Sequence, residues 1–135
     1  MMQINFYNDS SFKYLRKSRI MSAIENVMAG EKIDDYDINI IITSDDNIHK
    51  INKDYLAHDF PTDVITFKLE EKPLEGEIYV SADTALAQSA EYKVSHTTEL
   101  MRLAAHGALH LAGYDDNTDE LRLAMHKLEN KYITE

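Results

Sequence analysis

The sequence of 135 residues contains no cysteine, and this absence excludes several kinds of site at once. A chain without thiols forms no disulfide, offers no thiolate to a metal and has no cysteine nucleophile. The composition is also compatible with a reducing cytosol, where disulfides are rare. A chain of this length can bury a hydrophobic core without cross-links, so we expect one domain over residues 1–135.

Long apolar runs are missing as well. No stretch approaches the roughly 20 apolar residues that are needed to cross a bilayer. The opening residues, MMQINFYNDSSF, have neither the basic region nor the apolar region of a secretory signal peptide. We therefore expect a cytoplasmic protein without a membrane partner.

Positive charge is scarce, because 14 lysines and arginines stand against 24 acidic residues and give a net charge of -10. Phosphate repels such a chain, so we expect no DNA partner, and any contact with RNA must be local. One local candidate is SFKYLRKSR, in which Lys13, Arg16, Lys17 and Arg19 occur without an acidic neighbour. This segment either docks RNA or forms a solvated helix face.

The pattern of apolar and β-branched residues predicts nine elements in the order β-α-β-α-β-β-α-α-α. The predicted strands are 3–8, 36–43, 62–69 and 77–82, and the predicted helices are 12–29, 44–56, 84–92, 98–112 and 118–132. The expected helix-capping residues are Ser10 or Ser11, Ser44, Asp83, Thr97 and Asn117. Strands and helices alternate early and helices gather late, which predicts an α/β (α+β) domain with a mixed sheet of about four strands and helices packed around it.

The segment AAHGALHLAGYDD carries the strongest candidate site. His106 and His110 are four residues apart on one predicted helix, so both imidazoles project from the same face. Small neighbouring residues leave room for an ion close to the backbone. A third ligand has to come from outside the helix, because one helical face cannot complete a tetrahedron.

The turn after this helix offers that ligand. Gly113 can end the helix and turn the chain back, which puts Asp116 within reach of the histidines, with Asp115 as the competing candidate. We therefore predict a metal site at the C-terminal end of the helix, with three protein ligands and one open position. Zinc fits these ligand types best, and nickel, cobalt or manganese are also compatible.

The spacing also matches the zinc peptidase pattern H-E-x-x-H-x-x-G-x-x-H/D, with one difference. Gly107 stands where those peptidases have the glutamate that serves as general base. A glycine transfers no proton, so the ligand pattern is peptidase-like while the base is missing. A metallopeptidase-like hydrolase therefore stays an alternative to the interpretation that follows.

The stretch HGALHLAGYDD resembles the signature of the YbeY family, H-G-x-L-H-L-x-G-Y-D-H, and differs only at its last position. NKDYLAHDFPTDVITF (52–67) is similar to the family's N-x-x-Y-R-x-x-D-x-P-T-D-V-L-S-F block, and GEIYVS (76–81) to its G-D/E-I-x-I-S strand. The three blocks have the family's order and spacing, so the resemblance spans most of residues 36–135.

The resemblance implies an α/β fold with the metal at a helix end. It also implies a metal-dependent endoribonuclease that acts on single-stranded RNA, in maturation of the 16S rRNA 3′ end and in ribosome quality control. The implied partners are rRNA, the ribosome and ribosomal proteins. On this interpretation His106, His110 and Asp116 take part in catalysis through the metal, and Asp115 is a further candidate for orienting a ligand or moving a proton.

Two positions depart from the family pattern. Asp116 stands where the family has a third histidine, and its negative charge weakens the attraction of the site for a phosphate oxygen. Leu56 stands where the family has an arginine suited to clamp phosphate, and Lys53 and His58 are the nearby candidates to replace it. Leu56 and the acidic net charge favour a second alternative, a ribosome-assembly binding factor whose metal is structural or vestigial.

Overall fold

The computed structural model describes residues 1–134, and they form nine elements in the predicted order. The strands are β1 (Met2–Asp9), β2 (Tyr36–Thr43), β3 (Val64–Glu70) and β4 (Leu74–Ser81). The helices are α1 (Lys17–Gly30), α2 (Asp45–Leu56), α3 (Ala82–Tyr92), α4 (His96–Leu111) and α5 (Asp119–Ile133). Within the same residues, no helix has both the length and the hydropathy that a membrane span requires.

The four strands form one mixed sheet in the order β1-β2-β4-β3. β2 is parallel to both β1 and β4, whereas β3 and β4 are antiparallel neighbours. The predicted α/β class and the mixed four-stranded sheet are therefore confirmed. The observed β2 has the predicted bounds, while β4 begins at Leu74, three residues before the prediction.

The centre of the domain is built by β2, β4 and α4. Ile38, Ile40 and Ile42 of β2 have no exposed surface, as expected for β-branched residues of an interior strand. Helix α4 contacts β3 and β4 as well as α1, α3 and α5. Ten of its 16 residues are buried, so its position is fixed on several sides. Side chains on α4 are therefore held on a rigid support.

Helix α1 begins later than the sequence predicts. The Ser10 hydroxyl bonds the Asn8 side chain and accepts from the Phe12 backbone N–H, which closes a turn directly after β1. Neither Ser10 nor Ser11 therefore caps a helix, and α1 starts at Lys17 without a side-chain cap. The cationic residues of SFKYLRKSR consequently do not share one helix face, because the first two, Lys13 and Arg16, precede the helix.

Three other helix starts also differ from the prediction. The predicted caps were Asp83, Thr97 and Asn117, and the observed caps are Ser81, Ser95 and Thr118. Each observed cap has extended backbone and accepts a hydrogen bond from the N–H three residues further on, which is the geometry an N-cap requires. Ser44 caps α2 as predicted. Asp83 instead accepts from the backbone N–H of Asp45 and so ties α3 to α2.

Candidate metal centre

Helix α4 and the turn after it bring His106, His110 and Asp116 together, as the sequence predicts. The two Nε2 atoms are 3.0 Å apart. The Asp116 oxygens lie 3.3 Å from Nε2 of His106 and 3.5 Å from Nε2 of His110. One ligand atom from each residue lies within 4.8 Å of the others, so a single ion could contact all three. Asp115 is exposed and does not belong to this group.

The turn that supplies Asp116 also fixes one of the histidines. Gly113 has φ +109°, a left-handed conformation that favours glycine, and its N–H donates to the His110 carbonyl. The Tyr114 carbonyl then lies 2.9 Å from Nδ1 of His110. The predicted glycine turn is therefore present, and it positions a ring as well as a carboxylate.

The hydrogen bonds on the far side of each ring determine which nitrogen is free for a metal. Nδ1 of His106 lies 2.7 Å from Oε2 of Glu129, and Nδ1 of His110 lies 2.9 Å from the Tyr114 carbonyl. A carbonyl and a carboxylate only accept, so Nδ1 carries the proton in both rings and each Nε2 presents a lone pair. Two lone pairs facing each other at 3.0 Å need a cation or a proton between them. The donor set thus fits a metal ion.

Glu129 is the functional residue that the sequence analysis missed. Its side chain is nearly buried on α5, where it shares the inner face with Met125 and Tyr132. The only signal in the sequence is a glutamate placed at helical spacing within an otherwise apolar stripe. Arg102 lies 3.5 Å from its Oε1 and partly balances its charge. A buried carboxylate behind a ligand histidine is a common way to orient the ring.

The charges around His106 oppose the effect of its burial. Burial lowers the pKa of His106, but the hydrogen bond and charge of Glu129, together with the Asp116 charge, outweigh it and hold the pKa above its ordinary value of 6.5. The site therefore attracts positive charge, whether a proton or a metal ion.

His106 lies between two clefts of opposite character. The first, the acidic cleft, has a volume of about 520 Å³ and includes Asp63, Glu99 and Glu129 among its lining residues. Glu99 is 1% exposed, and burial raises its pKa to about 7, although the neighbouring Arg102 acts in the opposite direction. Its Oε1 has no hydrogen-bond partner. This cleft is therefore unsuited to a polyanion.

The second cleft, here called the carboxylate-free cleft, lies on the other side of His106 and has a volume of about 380 Å³. Among residues 1–134, no aspartate or glutamate lines it. Its lining includes Leu56, His58, Phe60, Lys68, His106 and His110. Leu56, at the position of the family arginine, thus faces the candidate metal centre, and so does His58, whereas Lys53 is not among the lining residues.

The basic segment with Lys13, Arg16, Lys17 and Arg19 lies near the other end of α4. The neighbouring Phe12 packs against His96, the first residue of that helix, with ring centroids 4.9 Å apart. At 1.5 Å per residue, His110 is about 21 Å further along the axis. The structure therefore does not bring these four cations to the metal centre.

Comparison with known proteins identifies the family of the chain. Residues 4–135 match the family model described as endoribonuclease YbeY. A Chloroherpeton thalassium protein named endoribonuclease YbeY is 40% identical over 120 residues, which cover 88% of this chain and 85% of that protein. Its namesake from Chlorobium phaeobacteroides strain BS1 is 36% identical over 135 residues, which cover 99% and 97%.

A solved structure shares the fold as well. The solution structure of TM1509 from Thermotoga maritima superposes with a TM-score of 0.67 at 31% identity, and the match covers 96% of this chain and 86% of that one. The family resemblance of the three sequence blocks is thus confirmed over nearly the whole chain. The chain therefore belongs to the endoribonuclease YbeY family.

Proposed function

We propose that this chain is a metal-dependent endoribonuclease that cleaves single-stranded RNA in ribosomal RNA processing. The observation that carries the proposal is the convergence of His106, His110 and Asp116 within 4.8 Å, in a chain of the endoribonuclease YbeY family. Two imidazoles and one carboxylate leave a coordination position open for a substrate oxygen. A purely structural site would use four protein ligands.

We propose zinc as the ion, with nickel, cobalt or manganese able to occupy the same ligands. Such an ion, when bound, supplies Lewis acidity toward a phosphoryl oxygen or a water molecule. His106 and His110 would hold it through Nε2, while the Glu129 carboxylate and the Tyr114 carbonyl accept the Nδ1–H hydrogen bonds that orient the two rings. The Asp116 carboxylate completes the ligand set and reduces the net positive charge.

The alternative of a metallopeptidase is disfavoured by the packing of Gly107. A Cβ atom added at this residue would lie 2.6 Å from Cγ2 of Ile78 on β4. The position that carries the general base in zinc peptidases is therefore closed against the sheet. No glutamate can be accommodated there without moving α4.

The phosphate of the substrate needs a cation, and Leu56 supplies none. We propose Lys68, which lines the carboxylate-free cleft, as the residue that contacts phosphate beside the metal. Its side chain is 31% exposed and its ammonium group lies 2.9 Å from the Glu71 carboxylate, so the phosphate would compete with this surface ion pair. His58 lines the same cleft and can assist, whereas Lys53 acts at most on RNA outside it. The cations of segment 13–19 then serve to dock a more distant part of the rRNA or a ribosomal protein.

We further propose that the substrate is the 3′ end of 16S rRNA, within the processing and quality control of ribosomes. Ribosomal RNA is processed in the bacterial cytoplasm, so a protein that acts on this substrate would be cytoplasmic. The ribosome or its proteins would present the RNA to the acidic chain, since its net charge of -10 disfavours free encounter with a polyanion.

The test is to replace His110 with alanine and to measure metal content and RNA cleavage on the same samples. We expect His110→Ala to lose bound metal and to lose cleavage in parallel. Lys127→Ala is the control, because this exposed lysine on α5 lines neither cleft beside His106 and is expected to leave both quantities unchanged. Undiminished cleavage by a metal-free His110→Ala protein would refute the proposal. Wild-type protein that binds ribosomes but cuts no RNA would instead support the assembly-factor alternative.

A further inference from the structure

The two clefts beside His106 differ sharply in charge. Asp63, Glu99 and Glu129 line the acidic cleft together with Arg102. The carboxylate-free cleft is lined by Lys68 and, among residues 1–134, by no acidic residue, although Lys68 pairs with Glu71 outside the cleft. In a chain with a net charge of -10, a groove without carboxylates beside the metal ligands is the surface that an RNA strand can approach. The substrate path therefore runs over the carboxylate-free cleft.

Aromatic rings stand exposed in this cleft. The rings of His58 and Phe60 are stacked, with centroids 5.3 Å apart and planes inclined by 10°. Phe60 is 54% exposed, and the adjacent Leu56 is 42% exposed. Both residues line the same cleft as His110, so an apolar, flat surface lies next to the candidate metal centre.

The loop that carries these rings is anchored to the buried residue Asn52. The Asn52 side chain donates to the Phe60 carbonyl at 2.9 Å, and the His58 N–H donates to the Asn52 carbonyl at 3.1 Å. Asn52 itself is only 2% exposed. The intervening Asp59 carboxylate lies 2.8 Å from Nε2 of His49, a contact that ties the loop to α2. The ring pair is therefore held in place before any ligand arrives, which lowers the entropy cost of binding.

We propose that His58 and Phe60, together with Leu56, form a stacking surface for an unpaired nucleobase of the RNA whose phosphodiester lies at the metal centre. This inference rests on the proposed endoribonuclease function. Single-stranded RNA presents unstacked bases, and proteins bind these bases on aromatic faces. Leu56 adds apolar contact to the base at the position where the family arginine would add charge. Compared with the family arginine, Leu56 thus attracts phosphate less and contacts the base more.

The test measures binding of a fluorescent single-stranded 2′-O-methyl oligonucleotide to full-length, metal-loaded protein by anisotropy, with oligonucleotide integrity checked on a gel. We expect Phe60→Ala to weaken binding roughly 5- to 150-fold, the range for loss of one stacking aromatic. Phe60→Trp should retain it. The matched control is Tyr92→Ala, which removes a ring of similar exposure, 56%, from the acidic cleft and should leave binding unchanged.

A second oligonucleotide separates stacking from other contacts. When a base is replaced by an abasic site, binding to wild-type protein should weaken, while Phe60→Ala should lose no further affinity. Three results would overturn the inference. Phe60→Ala could bind the oligonucleotide as tightly as wild type, or Tyr92→Ala could lose as much affinity as Phe60→Ala. The abasic site could also weaken binding to wild type and to Phe60→Ala by the same factor. These readouts concern binding alone. A wild-type protein that cleaves no RNA would refute the proposed function. The binding assay would still decide whether Phe60 stacks on a base, because it does not depend on cleavage.

Discussion

At the scale of single residues, the candidate metal centre depends on a carboxylate that is not a ligand. The Glu129 carboxylate lies behind His106 and accepts a hydrogen bond from its Nδ1–H, so that Nε2 faces His110 and Asp116. Without this acceptor the His106 ring could rotate or adopt the other tautomer. The imidazole would also lose the nearby negative charge of Glu129, which makes it a stronger metal ligand. The affinity for metal should therefore respond to a residue that never touches the ion.

Replacing Glu129 tests this relation. We expect Glu129→Ala to weaken metal binding about 10- to 100-fold, the usual effect of losing the partner of a ligand histidine. Glu129→Gln should lose less, because its amide oxygen still accepts the Nδ1 proton while the charge is gone. Competition with a chromogenic chelator measures the affinity, and Glu120→Gln on the exposed start of α5 is the control. An unchanged metal affinity in Glu129→Ala would show that His106 does not need the hydrogen bond to Glu129 to bind metal.

Glu99 gives the molecule a pH dependence of its own. Burial raises its pKa in the folded chain to about 7, above the ordinary value of 4.5. The folded chain therefore keeps this proton longer than the unfolded chain does, and the resulting stabilisation is complete below pH 4.5 and is lost as the pH rises through about 7.

The variant Glu99→Gln removes this titration. Above pH 7 we expect Glu99→Gln to exceed wild type in unfolding free energy by about 1–3 kcal/mol, the cost of a poorly satisfied buried polar group. The difference should shrink as the pH falls toward 4.5, the ordinary value for the group. Urea titrations at a series of pH values measure it, with the exposed Glu25→Gln as control. A difference that stays constant with pH would be inconsistent with this origin.

At the scale of elements, helix α4 carries the site because it is locked against the sheet. Gly107 is a point of close approach, where an added Cβ would meet Ile78 at 2.6 Å and the Thr66 hydroxyl at 3.1 Å. The neighbouring histidines project away from this contact. Gly107, which stands where zinc peptidases have their general base, thus allows α4 to pack close to β4.

Gly107→Ala should reveal this packing. Alanine favours a helix by about 1 kcal/mol over glycine, yet overpacking typically costs about 1–3 kcal/mol, so we expect a net loss of stability. In an Ile78→Ala background the clash is removed, and the same substitution should become neutral or stabilising. Thermal or urea unfolding of the four proteins measures the coupling. A gain of stability from Gly107→Ala in the wild-type background would contradict the proposed contact.

The sequence predicts some parts of the fold and of the candidate site better than others. The run of β-branched residues in β2 predicts its bounds, and the spacing of His106, His110 and Asp116 predicts the ligand group, because both signals are local. The start of α1 was missed because Ser10 closes a turn instead of capping the helix. Glu129 was missed for a different reason: its role depends on how α5 packs on α4, which no local pattern encodes.

At the scale of the whole molecule, the distribution of charge matters more than its sum. Carboxylates collect in one cleft beside His106, and the other cleft offers Lys68 to a passing strand. This separation explains how a chain with a net charge of -10 can still act on RNA. Binding should depend on few phosphate contacts and therefore weakly on salt.

The salt dependence of RNA binding tests the part played by Lys68. Each phosphate contact to a single strand contributes a slope of about 0.7 in log affinity against log salt. We expect Lys68→Ala to lower the magnitude of the slope by roughly that amount, and Phe60→Ala to lower the affinity with little change of slope. Lys127→Ala, an exposed cation on α5, is the control. A slope unaffected by Lys68→Ala would remove this residue from the phosphate path.

The most direct test of the central claim is anomalous scattering from crystals of the metal-loaded protein, recorded at the absorption edge of the ion. We predict one strong peak bonded by Nε2 of His106, Nε2 of His110 and a carboxylate oxygen of Asp116, at about 2.0–2.2 Å for zinc. A peak elsewhere on the chain, or none between these three side chains at full metal loading, would contradict the account.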